Sequence, residues 1–401
     1  MKAWLVGGTV RDQLLGVPAS DRDWVVVGSS PQAMVDAGFK PVGRDFPVFL
    51  HPQTGDEYAL ARTERKSAPG YHGFVFHADP GVTLEQDLAR RDLTINAMAM
   101  DPDSGELVDP FGGQADLAAG LLRHVGQAFA EDPVRLLRLA RFAARWPDFV
   151  VAPQTLALAR AIVDRGEADA LVPERVWQEL SRGLMAARPS RMLTVLRYCG
   201  ALPRLAPELA ALWAPSGASA NSDTPPGPVD AGAHLERALD LAAGAGSALP
   251  VRFACLCLGL DVPATQQLCD RWRAPQDCQE MALLLVRERA AVHATARADA
   301  RRVMDLLERG DAWRRPQRFL DLLQAVACDA RAAGADPSTA DRLHGNLRAA
   351  LSAALAADVA AASREALAAG LRGVAVGDAV RAARQDAVRR TWPEPATGAV
   401  P

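Results

Sequence analysis

Two short blocks near the N-terminus restrict the fold more than anything else in these 401 residues: Gly7-Gly8-Thr9-Val10-Arg11-Asp12, then Ser20-Asp21-Arg22-Asp23-Trp24-Val25-Val26-Val27-Gly28. Ala3-Trp4-Leu5-Val6 reads as a strand that breaks at the glycine pair and turns into a short helix over Thr9 to Leu15. Backbone N–H groups at such a turn suit a phosphate. In the second block Asp21 and Asp23 stand at i and i+2 ahead of an apolar run, so a strand puts both carboxylates on one face. Adjacent carboxylates repel unless a cation lies between them. Mg²⁺ is the natural occupant, because it prefers hard oxygen ligands and keeps positions open for phosphate oxygens. Taken singly, the glycine pair suits an ordinary turn and Asp-x-Asp a solvated one. In this order, and this close, they are what nucleotidyl transfer requires.

From Met1 to about His124 the pattern is mixed, and the section reads as a small α/β or α+β unit with a strand-rich core. Ser30-Pro31 supplies an N-cap and first-turn proline for a helix through Val35. Phe46 to Leu50 and Glu57 to Arg62 read as two strands of a hairpin across Pro52-Gln53-Thr54-Gly55. Thr63 to Gly81 reads as a mobile loop, Thr83 as the cap of a helix over residues 84–91, and Ala97 to Met100 as a further strand. Beyond about Val125 strand signals stop and helical periodicity rich in alanine and leucine runs to the end, interrupted at Pro215 to Ala233 by a Pro/Gly/Ser-rich linker.

Three side-chain groups carry candidate chemistry. Asp132, Arg135, Arg138, Arg141 and Arg145 share one face of a helix whose other face is apolar. A charged stripe of this kind also suits a merely solvated face. Read as a site, Asp132 accepts and Arg135 donates one turn apart, which matches the amino donor and ring-nitrogen acceptor of cytosine and adenine and opposes uracil and guanine. Each unmatched group costs about 1–3 kcal/mol, enough to matter for fidelity. Arg90-Arg91-Asp92 with Asn96 is either a salt-bridge cluster or, with Arg11, a clamp on a triphosphate. Glu57, on a neighbouring strand, is a candidate third carboxylate.

A net charge of −3 excludes a whole-surface field for polyanions, so nucleic-acid contacts must be local patches. The opening apolar run is too short for a signal-peptide core, and no stretch reaches the ~18 apolar residues of a membrane span. The six cysteines form no Cys-x-x-Cys pair and no Cys/His ligand set, which points to reduced thiols in a cytoplasmic protein without zinc.

The ordered series of the glycine-rich opening with Arg11, Asp21-Arg22-Asp23, Arg90-Arg91-Asp92-Leu93-Thr94-Ile95-Asn96-Ala97-Met98-Ala99, Asp109-Pro110-Phe111-Gly112-Gly113 and Glu131-Asp132-Pro133-Val134-Arg135 resembles the motifs of bacterial class II CCA-adding enzymes, closely over residues 1 to about 185. The resemblance implies an α+β chain with a polymerase-β-like nucleotidyltransferase head of mixed β-sheet, followed by an all-α neck, body and tail. Placed on this sequence these are residues 1–124, 125–185, 186–270 (a degenerate HD-like region with the linker 215–233) and 271–401, the last holding tRNA. It implies template-independent addition of C, C and A to the tRNA 3′ end from CTP and ATP, with Mg²⁺ on Asp21 and Asp23, the triphosphate on Gly8, Arg11 and Arg91, and the base on Asp132 and Arg135. Arg138 and Arg141 match further nucleotide-contacting arginines, and residues 62–81 match a flexible loop that helps the switch from C to A.

One segment departs from the family. Where related chains carry a His-Asp metal pair, this one reads Cys257-Leu258-Gly259-Leu260, and His234, His293 and His344 lie far apart in sequence. The expectation is an HD-type scaffold without hydrolase activity. Readings to weigh against CCA addition are a poly(A) polymerase, a partial enzyme adding only CC or only A, and a non-catalytic RNA-binding protein.

Overall fold

The computed structural model describes residues 1–18, 22–42, 48–66, 74–77, 79–214 and 230–392. The chain forms two compact units: Met1–Gly183 with Arg191–Pro207, and Leu184–Ser190 with Glu208–Pro401.

The first unit is built on one sheet. β1 (Lys2–Val6) runs into α1 (Gly8–Leu14); β2 (Asp23–Val27), α2 (Pro31–Asp36), β3 (Lys40–Val42), β4 (Val48–Leu50) and β5 (Glu57–Leu60) follow. After β6 (Thr63–Lys66), β7 (Phe74–His77) and α3 (Leu84–Ala89), the short strands β8 (Ala99–Met100) and β9 (Leu107–Val108) complete a seven-stranded sheet in the order β3-β4-β5-β2-β1-β8-β9. Only β2 and β5 pair parallel; the other neighbours are antiparallel. After Asp23, β2 is an unbroken apolar run because both of its faces are covered. Val25 packs with Trp4, Val6 and Leu88 on one side, and Val26 with Met34, Phe39 and Leu60 on the other. Period-two alternation thereby sends Asp23 to the same face as Val25.

Local signals behave as their chemistry requires. Ser30 caps α2 by accepting from the Ala33 N–H, and Thr83 and Gln86 form a reciprocal capping box on α3. The β4–β5 hairpin forms as expected. Two expectations are corrected. Thr63–Lys66 pairs antiparallel with Phe74–His77, so the ends of the expected loop are a two-stranded ribbon, and residues 67–73 and 78 lie outside the described residues. One strand also recurs past Val125: after α4 (Gly113–Ala118), β10 (Leu121–Leu122) pairs parallel with β11 (Val150–Val151), which follows α5 (Val134–Arg145). Two-residue strands bury too little to leave a periodic signature. The unit continues through α6 (Pro153–Asp164) and most of α7 (Pro173–Leu184).

The second unit is helical among its described residues. The helix Ala231–Gly244, capped by the Asp230 side chain, begins inside the expected linker, of which residues 215–229 lie outside the described residues. It packs with Leu249–Leu256 and Pro316–Ala332, which both pack in turn with Gln276–Ala294. Buried Arg252 donates to the carbonyls of Leu184, Ala186 and Ser247, tying loop backbone to the helices. The histidines, distant in sequence, converge here. His234 Nε2 meets Asp329 Oδ1 at 2.7 Å, and His293 Nε2 meets Asp329 Oδ2 at 3.0 Å. Leu258 is buried, and Gly259 sits at φ +91° with Leu212 3.2 Å from where a Cβ would stand.

Candidate active site

One cavity of about 570 Å³ in the first unit gathers nine arginines against three aspartates, Asp23, Asp92 and Asp132. That excess of fixed positive charge matches a polyphosphate. Of the residues singled out from the sequence, Gly8, Arg11, Asp23, Arg91, Asp132, Arg135, Arg138 and Arg141 all line it. Asp21 lies outside the described residues.

The opening turn requires glycine for two reasons. Gly7 has φ +63°, and a Cβ there would stand 2.7 Å from Arg91 Nη1. The turn starts α1, which places Arg11 against Asn96 and Asp12: Nη1 donates to Asn96 Oδ1, and Nε to Asp12 Oδ1 at 2.9 Å. The guanidinium also lies 4.6 Å from the Trp146 ring centre. Burial pulls the Arg11 pKa down, against the carboxylate beside it, yet an arginine stays charged in any protein setting.

β2 delivers Asp23 to the cavity edge, with its N–H bonded to Thr9 Oγ1 at 3.1 Å. The parallel register sets Glu57 directly beside it, so Asp23 and Glu57 emerge from one face of adjacent strands. The next register pair, Trp24 and Tyr58, stacks with ring centres 5.0 Å apart on the opposite face.

The arginines are aimed by carboxylates that periodicity alone does not reveal. Asp87, fully buried on α3, accepts from Arg90 Nη2 at 2.7 Å and from Arg91 Nη2 at 3.1 Å. Burial works to raise its pKa, but Arg91 and Arg90 outweigh it and hold the carboxyl below its usual range. Arg91 Nε is left buried with no hydrogen-bond partner among the described residues, so the protein does not saturate this guanidinium. Asp92 accepts from Leu93 N–H, Asn96 Nδ2 and Arg138 Nε at 2.8, 2.9 and 2.6 Å. Burial opposes its ionisation; Arg138 and these hydrogen bonds prevail and hold it far below the ordinary carboxylate range. Asp12 joins Arg11 to Arg145, whose Nη2 donates to Oδ2 at 3.0 Å.

On α5 the stripe expected from the sequence is present, but each side chain has a protein partner. Arg135 donates to the carbonyls of Ala128 and Arg90 at 2.8 and 2.6 Å. Arg141 bonds Glu179, and Asp132 bonds Arg175, both from α7. Asp12, Asp87, Arg175 and Glu179 were not picked out as site residues from the sequence, and Arg145 entered only as part of the charged stripe. Arg175 and Glu179 do stand at i and i+4, and Asp87 lies one turn before Arg90 and Arg91 on an otherwise apolar face.

Comparison with known proteins agrees with this geometry. The sequence matches the family described as the Poly A polymerase head domain over residues 3–123, and the one described as the probable RNA and SrmB-binding site of polymerase A over residues 148–212. It is 56% identical to a Multifunctional CCA protein of Leptothrix cholodnii, covering 97% of this chain and 96% of that one. It is 50% identical to a Multifunctional CCA protein of Variovorax paradoxus, covering 97% and 99%. The fold resembles a CCA-adding enzyme solved in an apo form, with a TM-score of 0.70 at 22% identity over 96% of this chain and 88% of that chain.

Proposed function

This chain belongs to the multifunctional CCA protein family of tRNA nucleotidyltransferases, and from that premise we propose how its cavity adds C, C and A to the tRNA 3′ end from CTP and ATP, releasing pyrophosphate. The observation that carries the reading is the meeting, in one cavity, of the Asp23 strand end with the arginines aimed by Asp87, Asp92 and Asp12. Near-full-length similarity to CCA proteins favours CCA addition over poly(A) synthesis, although the head-domain family is named for the latter.

Enzymes of this type use a divalent cation, and the donor chemistry fits one: Asp23 is a hard oxygen donor lining the cavity, Glu57 stands beside it in strand register, and Asp21 lies two residues earlier in the sequence. We take the ion to be Mg²⁺, which when bound lowers the pKa of the tRNA 3′-hydroxyl and offsets charge on the departing pyrophosphate. The chain's own residues do the rest. Gly8 lets backbone approach the triphosphate, while Arg91 and Arg11, both lining the cavity, balance its charge. Asp132 accepts the amino group that cytosine and adenine share and uracil and guanine lack at that position, with Arg135 as the donor beside it. Arg138 and Arg141, held by Asp92 and Glu179, extend the positive wall along the nucleotide.

The division into head (1–124), neck (125–185), body (186–270) and tail (271–401) remains our functional assignment, the tail holding tRNA. No helix among the described residues is long and apolar enough to cross a membrane, and the six cysteines are buried and unpaired, which supports a cytoplasmic setting. We assign no hydrolase activity to the helical body, since Leu258 and Gly259 stand where a metal pair would be needed and His234 and His293 are engaged with Asp329.

The test is incubation with Mg²⁺ and tRNA ending at the discriminator base, offering each labelled nucleotide in turn. The expected products end in C, CC and, with both nucleotides, CCA. Incorporation of UTP or GTP, or long poly(A) tails, overturns the reading.

A further inference from the structure

Arg145 is the last residue of α5. Its Nη2 donates to Asp12 Oδ2 at 3.0 Å, and its guanidinium carbon lies 4.9 Å from the centre of the Trp146 ring. Asp12 Oδ1 takes Arg11, whose guanidinium lies 4.6 Å from the same ring. One carboxylate and one ring thus hold two guanidiniums, which differ in what they have left to offer. Arg11 is buried, and all three of its side-chain nitrogens are engaged by Asp12 and Asn96. Arg145 lines the cavity with 39% of its side chain exposed, and its Nε and Nη1 have no hydrogen-bond partner among the described residues.

Two arginines on one carboxylate leave one positive charge in surplus. The C-terminal dipole of α5, equivalent to roughly half a negative charge, reduces that surplus without cancelling it. Surplus positive charge with unused N–H donors takes an oxyanion. The place of Arg145 along α5 says which one. Asp132 and Arg135, assigned above to the base, stand at the helix start, and Arg138, Arg141 and Arg145 follow about 5, 9 and 15 Å beyond Arg135 along the axis, all lining the cavity. A nucleoside triphosphate with its base at the start of this stripe and its chain running along it brings its outer phosphates to the far end.

We propose that Arg145 binds the outer phosphates of the incoming nucleotide, as a third arginine beside Arg11 and Arg91. This rests on the triphosphate reading of the cavity and adds the residue that holds the end remote from the base. Because Asp12 and Trp146 already fix the guanidinium, little side-chain freedom is lost when the phosphate arrives. The contact is blind to the base, so it serves CTP and ATP alike.

The experiment measures, with Mg²⁺ and without tRNA, the dissociation constants of CTP, ATP and CMP for the wild type, Arg145→Gln and Arg145→Lys. Arg145→Gln should bind CTP and ATP about five- to twentyfold more weakly while its CMP affinity changes by less than about twofold. Arg145→Lys, which keeps the charge without the fork, should lose less. Loss of CMP affinity in proportion to CTP in both variants, or no loss for CTP in either, overturns the assignment. Repeating the CTP measurement on Asp12→Asn, alone and combined with Arg145→Gln, separates contact from support of Arg11. A loss at Arg145 that persists without the Asp12 carboxylate supports the contact. A loss that vanishes there shows Arg145 acting only through Asp12 and Arg11, and overturns it. A raised KM for tRNA with unchanged nucleotide affinity would put an RNA phosphate at Arg145 and overturn it as well. If the wild type binds CTP no more tightly than CMP, the triphosphate reading itself fails. If the wild type discriminates between them and both Arg145 variants do so equally well, the role of Arg145 alone fails.

Discussion

Each unit holds a cluster of buried charge, and the two are arranged to opposite ends. In the first, Asp12, Asp87 and Asp92 aim an excess of arginines into a cavity, and at least one donor, Arg91 Nε, lacks a partner. In the second, a single carboxylate, Asp329, takes His234 and His293 directly, with Arg289 Nη1 at 3.6 Å. Its charge is matched within the cluster. Burial resists ionisation of Asp329, but His234, His293 and Arg289 hold its pKa well below the usual carboxylate range. A site that must bind an anion keeps positive charge in surplus. A cluster whose charges close on one another has little left to offer a ligand.

The largest effect that tests this contrast is at Asp23. Asp23→Ala should lower nucleotide incorporation by at least about 10³-fold while tRNA binding measured without nucleotide persists. Appreciable residual turnover would place the metal elsewhere.

Asp92→Asn probes how the arginines are aimed. Its folded-state pKa lies far below the unfolded value of about 3.9, so the Asp92 pairing contributes fully above about pH 4, and that contribution is lost as pH falls through the folded pKa. The variant should be less stable than the wild type at neutral pH, by about 1–2 kcal/mol because Arg138 is partly solvated, and the gap should narrow in acid. Denaturant melts from pH 7 down to pH 3 measure it, and a gap independent of pH would show that Asp92 acts through packing.

The smallest expected effect on catalysis is at Asp329. Asp329→Ala should lower the melting temperature but leave CTP affinity and base choice unchanged. Neither it nor the wild type should release phosphate from 2′,3′-cyclic nucleotides beyond a metal-free control. Phosphate release by the wild type that Asp329→Ala abolishes would show that the second cluster is a working site after all.

Much of the candidate site was legible in the chain because its parts are local. Gly7 and Gly8 follow a strand, Asp21 and Asp23 sit two apart, and Asp132, Arg135, Arg138 and Arg141 keep helical spacing. The parts that were not legible are held across distance. Asp12 reaches Arg145 over 133 positions, and Arg175 reaches Asp132 over 43. Arg175 and Glu179 stand four apart on one helix, yet they bond to Asp132 and Arg141 rather than to each other. The histidines were read as scattered because 95 residues separate His234 from the aspartate it meets. The ribbon of β6 and β7 was read as loop because Thr63–Lys66 is polar throughout and Phe74–His77, four residues long, is too short to set a period-two signal.

The sequence by itself determined the chemistry available: paired carboxylates before an apolar strand, a glycine turn, and an acid followed by arginines along one helix. Spacing of two or of three to four residues is enough to place such groups on one face, since backbone geometry sets it without reference to the rest of the chain. Only the tertiary structure decided which carboxylate neutralises which arginine, and so which donors remain for a substrate. Charge pairing depends on distances of a few ångströms between elements remote in the chain, which no local period encodes. That is why Asp132 could be proposed as a base acceptor from the sequence, while Arg175, which pairs with it, became visible only in the fold.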